Sequence, residues 1–240
     1  MAAPCRVRPL SFLALGFAMT SSLSIGFVVF PNVTQLDFTG PLQMLSRVPG
    51  AACHIVAKTM DLVPSDSVLS IPPTTTFRDC PALDVICVPG GFGVAEAVRD
   101  AETLAFVRER AAKAQWVTSV CTGAFILGAA GLLKGKRAAT HWAYRDLLEL
   151  VGATPGAARV IRDGNVITGG GVTAGIDFAL TLIGEMASPG IAQSIQLGME
   201  YDPAPPFDAG SPKFAPAEVR ERVTERYAGP RETMRRALGG

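Results

Sequence analysis

Apolar and polar positions alternate between short apolar runs and longer stretches of helical period. Ser24 to Phe30 (SIGFVVF), Leu83 to Val88 (LDVICV) and Trp116 to Val120 (WVTSV) are continuous apolar runs. They predict strands buried on both faces. Cys53 to Lys58 and Arg137 to Thr140 predict two more strands. Val160 to Thr168 (VIRDGNVIT) predicts a β-hairpin turning at Asp163-Gly164. Between these runs lie helical patterns. Pro41 followed by Leu42, Leu45 and Val48 predicts a helix with proline in its first turn. Further helices are expected over 101–113, 124–130, 143–150, 176–186 and 191–199. Val63 to Phe77, which contains Pro72-Pro73, predicts irregular chain with short β pieces. Pro203 to Pro216 is proline-rich and is expected to be extended.

Strands alternating with helices predict an α/β fold with a mainly parallel sheet covered on both faces. Residues 21–240 are expected to form one domain. Residues 1–20 are set apart as an extension. Arg6 and Arg8 precede an apolar run, Leu10 to Met19, as in an export signal. That run has no A-x-A-like cleavage site and is too short to span a membrane. A translation start at Met19 is the preferred reading.

Composition narrows the function. The 240 residues are 48% hydrophobic and 18% charged, enough apolar material for a sizeable core. Lys plus Arg number 22 and Asp plus Glu 21, with no basic cluster, which argues against nucleic-acid binding. The tail from Arg220 to Arg236 mixes both signs and is expected to be a solvated helix face. Five cysteines, at positions 5, 53, 80, 87 and 121, include no CxxC pair, and the histidines are His54 and His141 alone. A zinc site or a disulfide framework is therefore not expected, nor is a metal or an organic cofactor; a reducing, cytoplasmic setting fits.

The stretch carrying the chemistry is Trp116 to Gly131, WVTSVCTGAFILGAAG. Cys121 falls between a strand end and a helix start, where unpaired N–H groups and the helix dipole favour negative charge. A thiol there is expected to ionise more easily than a free one, and the thiolate is the nucleophile. The alternative is a small buried core residue. Asp37 lies in the predicted connection after the first strand, as a catalytic group or a turn-capping aspartate. The loop Pro89-Gly90-Gly91-Phe92-Gly93 offers backbone N–H groups but lacks a nucleotide-binding pattern. Asp37, Gly90-Gly91, Cys121 and Gly169-Gly170-Gly171 all follow strands, so a parallel sheet gathers them at one edge. That convergence favours the nucleophile reading of Cys121.

FPNVTQLDFTGP, VPGGFG, SVCTGAFILGAAGLLKGKRAATHW and GGGVTAGIDFAL together resemble the ThiJ/PfpI superfamily. The resemblance runs from about Ile25 to the end and is greatest to the isocyanide hydratase branch. It implies a flavodoxin-like sandwich that dimerises, with the nucleophile at Cys121 on a strained elbow. It places the acidic partner at Asp37, where many branches carry glutamate. Thr122 follows the nucleophile, as in the hydratase branch. Peptidase-like branches have histidine there, which counts against a Cys-His protease or amidotransferase. Thr122 is expected to donate to the sulfur or to Asp37, or to be only a first-turn helix residue. Gly91 and Cys121 N–H groups are candidates to stabilise developing charge. Gly170 and Val172 are expected to shape the pocket wall, and His141 to be structural. The implied substrate is a small-molecule isocyanide, with no membrane or nucleic-acid partner. Two alternatives stay open: an enzyme acting on glyoxal-type carbonyls, and a cysteine sensor like the ligand-sensing half of AraC-type regulators. Those regulators carry a helix-turn-helix region beyond this domain; the residues after Met199 are few and rich in proline and glycine, so DNA binding is not expected.

Overall fold

Strand β1 (Leu23–Val28) runs through the centre of the molecule, and Ile25, Phe27 and Val28 on it are completely buried. The computed structural model describes residues 23–240; the expectations about residues 1–20 lie outside the described residues. After β1 come α1 (Gln35–Leu45), β2 (Ala51–Ala57) and three two-residue pieces, β3 (Val63–Pro64), β4 (Ser70–Ile71) and β5 (Thr75–Thr76). Strand β6 (Val85–Val88) leads to a short α2 (Val94–Ala97), then α3 (Ala101–Ala111). Strand β7 (Trp116–Val120) enters α4 (Gly123–Ala129). Strand β8 (Arg137–Ala138), a 3-10 helix (Trp142–Val151) and β9 (Thr154–Pro155) follow. The chain continues with β10 (Val160–Asp163), β11 (Val166–Gly169), α5 (Ala174–Met186), α6 (Pro189–Gly198) and α7 (Ala217–Ala237).

The main sheet has seven strands in the order β10-β11-β7-β6-β1-β2-β5. All pairs are parallel except β10 with β11, which form the expected hairpin. Helices α1, α5 and α6 pack together on one face, and α3 and α4 with the 3-10 helix on the other. The chain winds one way from β1 to β2 and the other way from β6 to β7. The reversal falls between β1 and β6, and the crevice outside their carboxyl ends is the favoured ligand position in such sheets.

Three expectations need correction. Helix α1 starts at Gln35, not at Pro41, so Pro41 lies inside it and Asp37 sits in its first turn. An internal proline costs a hydrogen bond and clashes with the preceding turn. Here the residue before it is Gly40, which has no Cβ to meet the ring. Pro41 is buried against Gly175 of α5, where a Cβ would come within 3.0 Å of its Cδ. Close packing of α1 on α5 thus favours a residue that local pattern reads as a helix start. The second concerns Trp142 to Val151, which forms a 3-10 rather than an α-helix and ends at Gly152 with φ 74°. The 203–216 stretch contains no helix or strand, but instead of running extended it bends at 206–208 and turns at 212–214, where the Phe214 and Ala215 N–H groups donate to the Ser211 carbonyl.

Candidate active site

Cys121 is the first residue after β7, and its φ of 57° places a non-glycine residue in the left-handed region. Such a conformation persists only where its surroundings over-determine it. The Cys121 N–H donates to the carbonyls of both Gly169 and Gly170, each at 3.0 Å. The Cys121 carbonyl accepts the buried Thr140 hydroxyl at 2.8 Å. Gly123 lets the following turn press against the β6 end: a Cβ there would lie 2.1 Å from the Val88 carbonyl oxygen. The elbow is thus held from three sides before any ligand arrives.

Asp37 reaches the same place from α1 and is completely buried. It caps nothing on its own helix. Its Oδ2 instead accepts the Gly90 N–H at 3.0 Å, across the switch between β1 and β6. Its Oδ1 has no hydrogen bond of ordinary geometry. The Cys121 thiol stands beside it as a weak donor. Burial raises the Asp37 pKa to about 7, against the lesser downward pull of the Cys121 thiol and the Gly90 amide.

The sulfur differs from expectation. Cys121 is buried, and desolvation followed by the Asp37 charge pushes its thiol well up rather than down. The Thr122 N–H and hydroxyl oppose this but do not outweigh it. Local helix-start geometry was the basis for expecting an acidic thiol; desolvation and a neighbouring carboxylate override it. Burial and the mutual repulsion of the two negative charges thus oppose ionising both groups at once, and the pair titrates as a coupled unit.

Gly91 and Cys121 do not offer free amides. The Gly91 N–H donates to Thr122 Oγ1 at 3.0 Å, and the Cys121 N–H is spent on the elbow. The amide facing the sulfur is that of Thr122. Gly90 is the tightest point of the site. A Cβ there would lie 2.6 Å from both N and Oγ1 of Thr122 and 2.8 Å from Asp37 Oδ2. Gly90→Ala is expected to displace both groups and lower activity by about 10²-fold, with the circular-dichroism spectrum of the folded protein retained. Parallel rate and spectral measurements check this.

Cys121, Thr122, Gly91 and Val172 line a cavity of about 120 Å³. Gly170 does not; it lies behind the elbow, and its N–H donates to the Arg159 carbonyl. The wall also contains residues that sequence reasoning left out: Thr34, Asp66, Phe92, Tyr144 and Tyr227. His141, expected to be structural and untied to the sulfur, is on this wall as well. Its Nδ1 accepts the Ala143 N–H at 3.3 Å, so its single proton is on Nε2. Burial lowers its pKa to about 4, so it is neutral near pH 7 and supplies no imidazolium to the thiol. Its ring centroid is 4.9 Å from that of Tyr227, which comes from α7. The α7 helix is polar overall but places Val223, Tyr227, Pro230 and Met234 at i, i+4, i+7 and i+11, a narrow apolar stripe visible in the sequence. A larger cavity of about 410 Å³ near Phe30, Leu62 and Phe77 contains no cysteine or histidine, and its Lys58 and Asp100 are ion-paired. The smaller cavity is the chemically equipped one.

Residues 23–185 match the DJ-1/PfpI family. The chain belongs to the DJ-1/PfpI family. It is 57% identical over 207 residues to the isonitrile hydratase of Pseudomonas putida, covering 86% of this chain and 91% of that protein. A ThiJ/PfpI family protein from Pseudomonas syringae has a crystal structure that superposes with a TM-score of 0.91 at 46% identity, over 97% of this chain and 99% of that one. The HTH-type transcriptional regulator GbdR of Pseudomonas aeruginosa is 32% identical over 171 residues, 67% of this chain but 46% of the regulator. In this DJ-1/PfpI chain no described helix is long and apolar enough to cross a membrane. No described group of three or more His, Cys, Asp and Glu residues is placed to hold a metal ion.

Proposed function

We propose that this chain is an isocyanide hydratase, converting an isocyanide and water to an N-substituted formamide. The observation that carries the reading is the buried Asp37–Cys121 pair, joined by one glycine loop and opening on an aromatic cavity with a neutral histidine. The similarity to isonitrile hydratase supports it. An isocyanide is uncharged and has an electrophilic terminal carbon, which suits a cavity that offers a nucleophile, a proton and no fixed positive charge.

The pair begins with one shared proton. Transfer to Asp37 makes the thiolate, which adds to the isocyanide carbon while Asp37 gives that carbon its proton. The product is a thioimidate on Cys121, and Asp37 is now ionised. Asp37 then takes a proton from water as its oxygen attacks the thioimidate carbon, and passes that proton to nitrogen. Collapse of the adduct forms the carbonyl, returns the hydroxyl proton to Asp37 and expels the thiolate. Water has been added, and the pair is restored. Thr122 holds the sulfur through its N–H and hydroxyl and fixes Gly91. Val172 bounds the cavity beside the sulfur, and Gly170 acts through the elbow. The reaction calls for no cofactor.

The protein is taken to work in the cytoplasm as a homodimer, without nucleic-acid or membrane partners. The test is a spectrophotometric assay with p-nitrophenyl isocyanide. Formation of the formamide is the expected result. Lactate from methylglyoxal, with no turnover of isocyanide, would transfer the site to carbonyl chemistry.

A further inference from the structure

Tyr144 is a buried phenol whose hydroxyl is unspent. The residue is 4% exposed and lines the cavity beside Cys121. Its backbone N–H donates to the His141 carbonyl, but its hydroxyl has no hydrogen-bond partner among the described residues. Buried tyrosine hydroxyls usually find one. Burial, and then the negative charge of Cys121, push the Tyr144 pKa up. The hydroxyl therefore stays protonated, a donor within reach of the charge on the sulfur.

The position of this hydroxyl is tied to the elbow. Thr140, just before it in the chain, donates its own hydroxyl to the Cys121 carbonyl at 2.8 Å. The Tyr144 ring is then gripped edge-on by Phe125, at 6.4 Å between centroids, and by His141 and Tyr227, each at 5.9 Å. Other donors on the wall are committed. The Thr34 hydroxyl donates to Asp66, and the Thr122 hydroxyl is engaged with Gly91. The edge of the His141 ring that carries Nε2 packs on Gly171, where a Cβ would lie 2.1 Å from Cδ2. Tyr227 is half-buried and able to meet water.

We propose that the Tyr144 hydroxyl donates a hydrogen bond to the substrate nitrogen and is a catalytic residue of the hydration step. The proposal rests on the hydratase reading. In the thioimidate, nitrogen is bonded to the carbon that the sulfur carries, so its lone pair lies in the same small cavity. When water attacks that carbon, the C=N π pair moves onto nitrogen. One of the two lone pairs takes the proton that Asp37 passes on, and the other accepts the Tyr144 O–H. Tyr144 keeps its proton throughout, and no bond to it forms or breaks. A donor already in place where charge develops lowers the barrier without reorganisation.

Tyr144→Phe removes the hydroxyl and keeps the ring. With p-nitrophenyl isocyanide, kcat is expected to fall by about 10²-fold, the scale of losing one such donor, with KM little changed. The thioimidate should then accumulate. Intact-protein mass spectrometry during turnover should find Cys121 heavier by one substrate in the variant but not in the native enzyme. A native rate, or a loss without the adduct, would overturn the proposal; a purely packing role moves neither readout, because phenylalanine fills the same space. A second readout needs no turnover. Cyanylation of Cys121 places a nitrile nitrogen one carbon beyond the sulfur, and the infrared band missing from cyanylated Cys121→Ala reports on it. A hydrogen bond from a hydroxyl raises the nitrile frequency, so the band should lie lower in Tyr144→Phe than in the native protein. The same frequency in both would mean that the hydroxyl does not reach that nitrogen. A nitrile shift without isocyanide turnover by the native enzyme would overturn the hydratase reading while upholding the donor.

Discussion

Replacing Cys121 with alanine is expected to lower kcat/KM for isocyanide hydration by at least about 10³-fold, the scale seen when a nucleophile is removed from a group of residues acting as a unit. Serine is expected to do no better. Its hydroxyl is a far weaker acid than a thiol, and an Asp37 poised near 7 does not deprotonate it. Either side chain has a Cβ, so the strain at φ 57° stays and the fold is kept by the same three anchors. The variant also reports on the pair. In the native protein the thiol pulls the Asp37 pKa down, against the stronger upward effect of burial. Without the sulfur, Asp37 should titrate above its native value of about 7. A carboxyl stretch followed by infrared difference spectroscopy against pH measures this directly. An Asp37 titration unchanged in Cys121→Ala would mean that the two groups do not share a proton.

Most of the architecture was legible because parallel strands buried on both faces leave continuous apolar runs. The elbow at Cys121, the proposed nucleophile, was legible for the same reason: WVTSV is followed by a cysteine, and Gly123 stands two residues further on. Asp37 was legible as a post-strand residue but not as a helix residue, since Pro41 gives a local signal for a helix start. Only the contact of Pro41 with Gly175, remote in sequence, explains why the helix runs through it. The acidity of Cys121 was misjudged because helix-start geometry is local, whereas burial and the Asp37 charge come from elements assembled around it. Tyr227 was missed, and His141 was read only as structural, for a related reason. They reach the cavity from the 3-10 helix start and from a polar helix some 85 residues further on, and no spacing rule links such positions. The free amides expected at Gly91 and Cys121 failed on accounting. Both N–H groups have partners inside the site, as buried backbone groups usually do.

Asp37→Asn is expected to trade activity for stability, with a pH dependence fixed by the sign of the shift. Asparagine neither takes the thiol proton nor delivers one to carbon, so loss of a general acid and base predicts a fall of about 10²–10⁴-fold. In the native enzyme kcat/KM should rise with pH through about 7 as the pair goes from two protons to one; the residual activity of Asp37→Asn should lack that limb. Stability runs the other way. Burial holds the folded Asp37 near 7, against an ordinary carboxyl value of 3.8. Between those values the folded state binds the extra proton, so the contribution of Asp37 to stability is fully present below 3.8 and is lost as pH rises through about 7. At pH 8 the native protein carries this cost, on the order of 4 kcal/mol at most for a shift of about three units. Asparagine matches the neutral acid in shape and still accepts from Gly90. The variant should therefore melt at a higher temperature than the native protein at pH 8, with the gap closing toward pH 4. Melting curves across that range, with the activity profile, separate the two roles. A variant equally active, or one less stable at pH 8 than at pH 4 relative to the native protein, would show that Asp37 is an ordinary structural carboxylate. The combination of a lost reaction and a gained melting temperature is what a buried acid kept for chemistry rather than for folding produces.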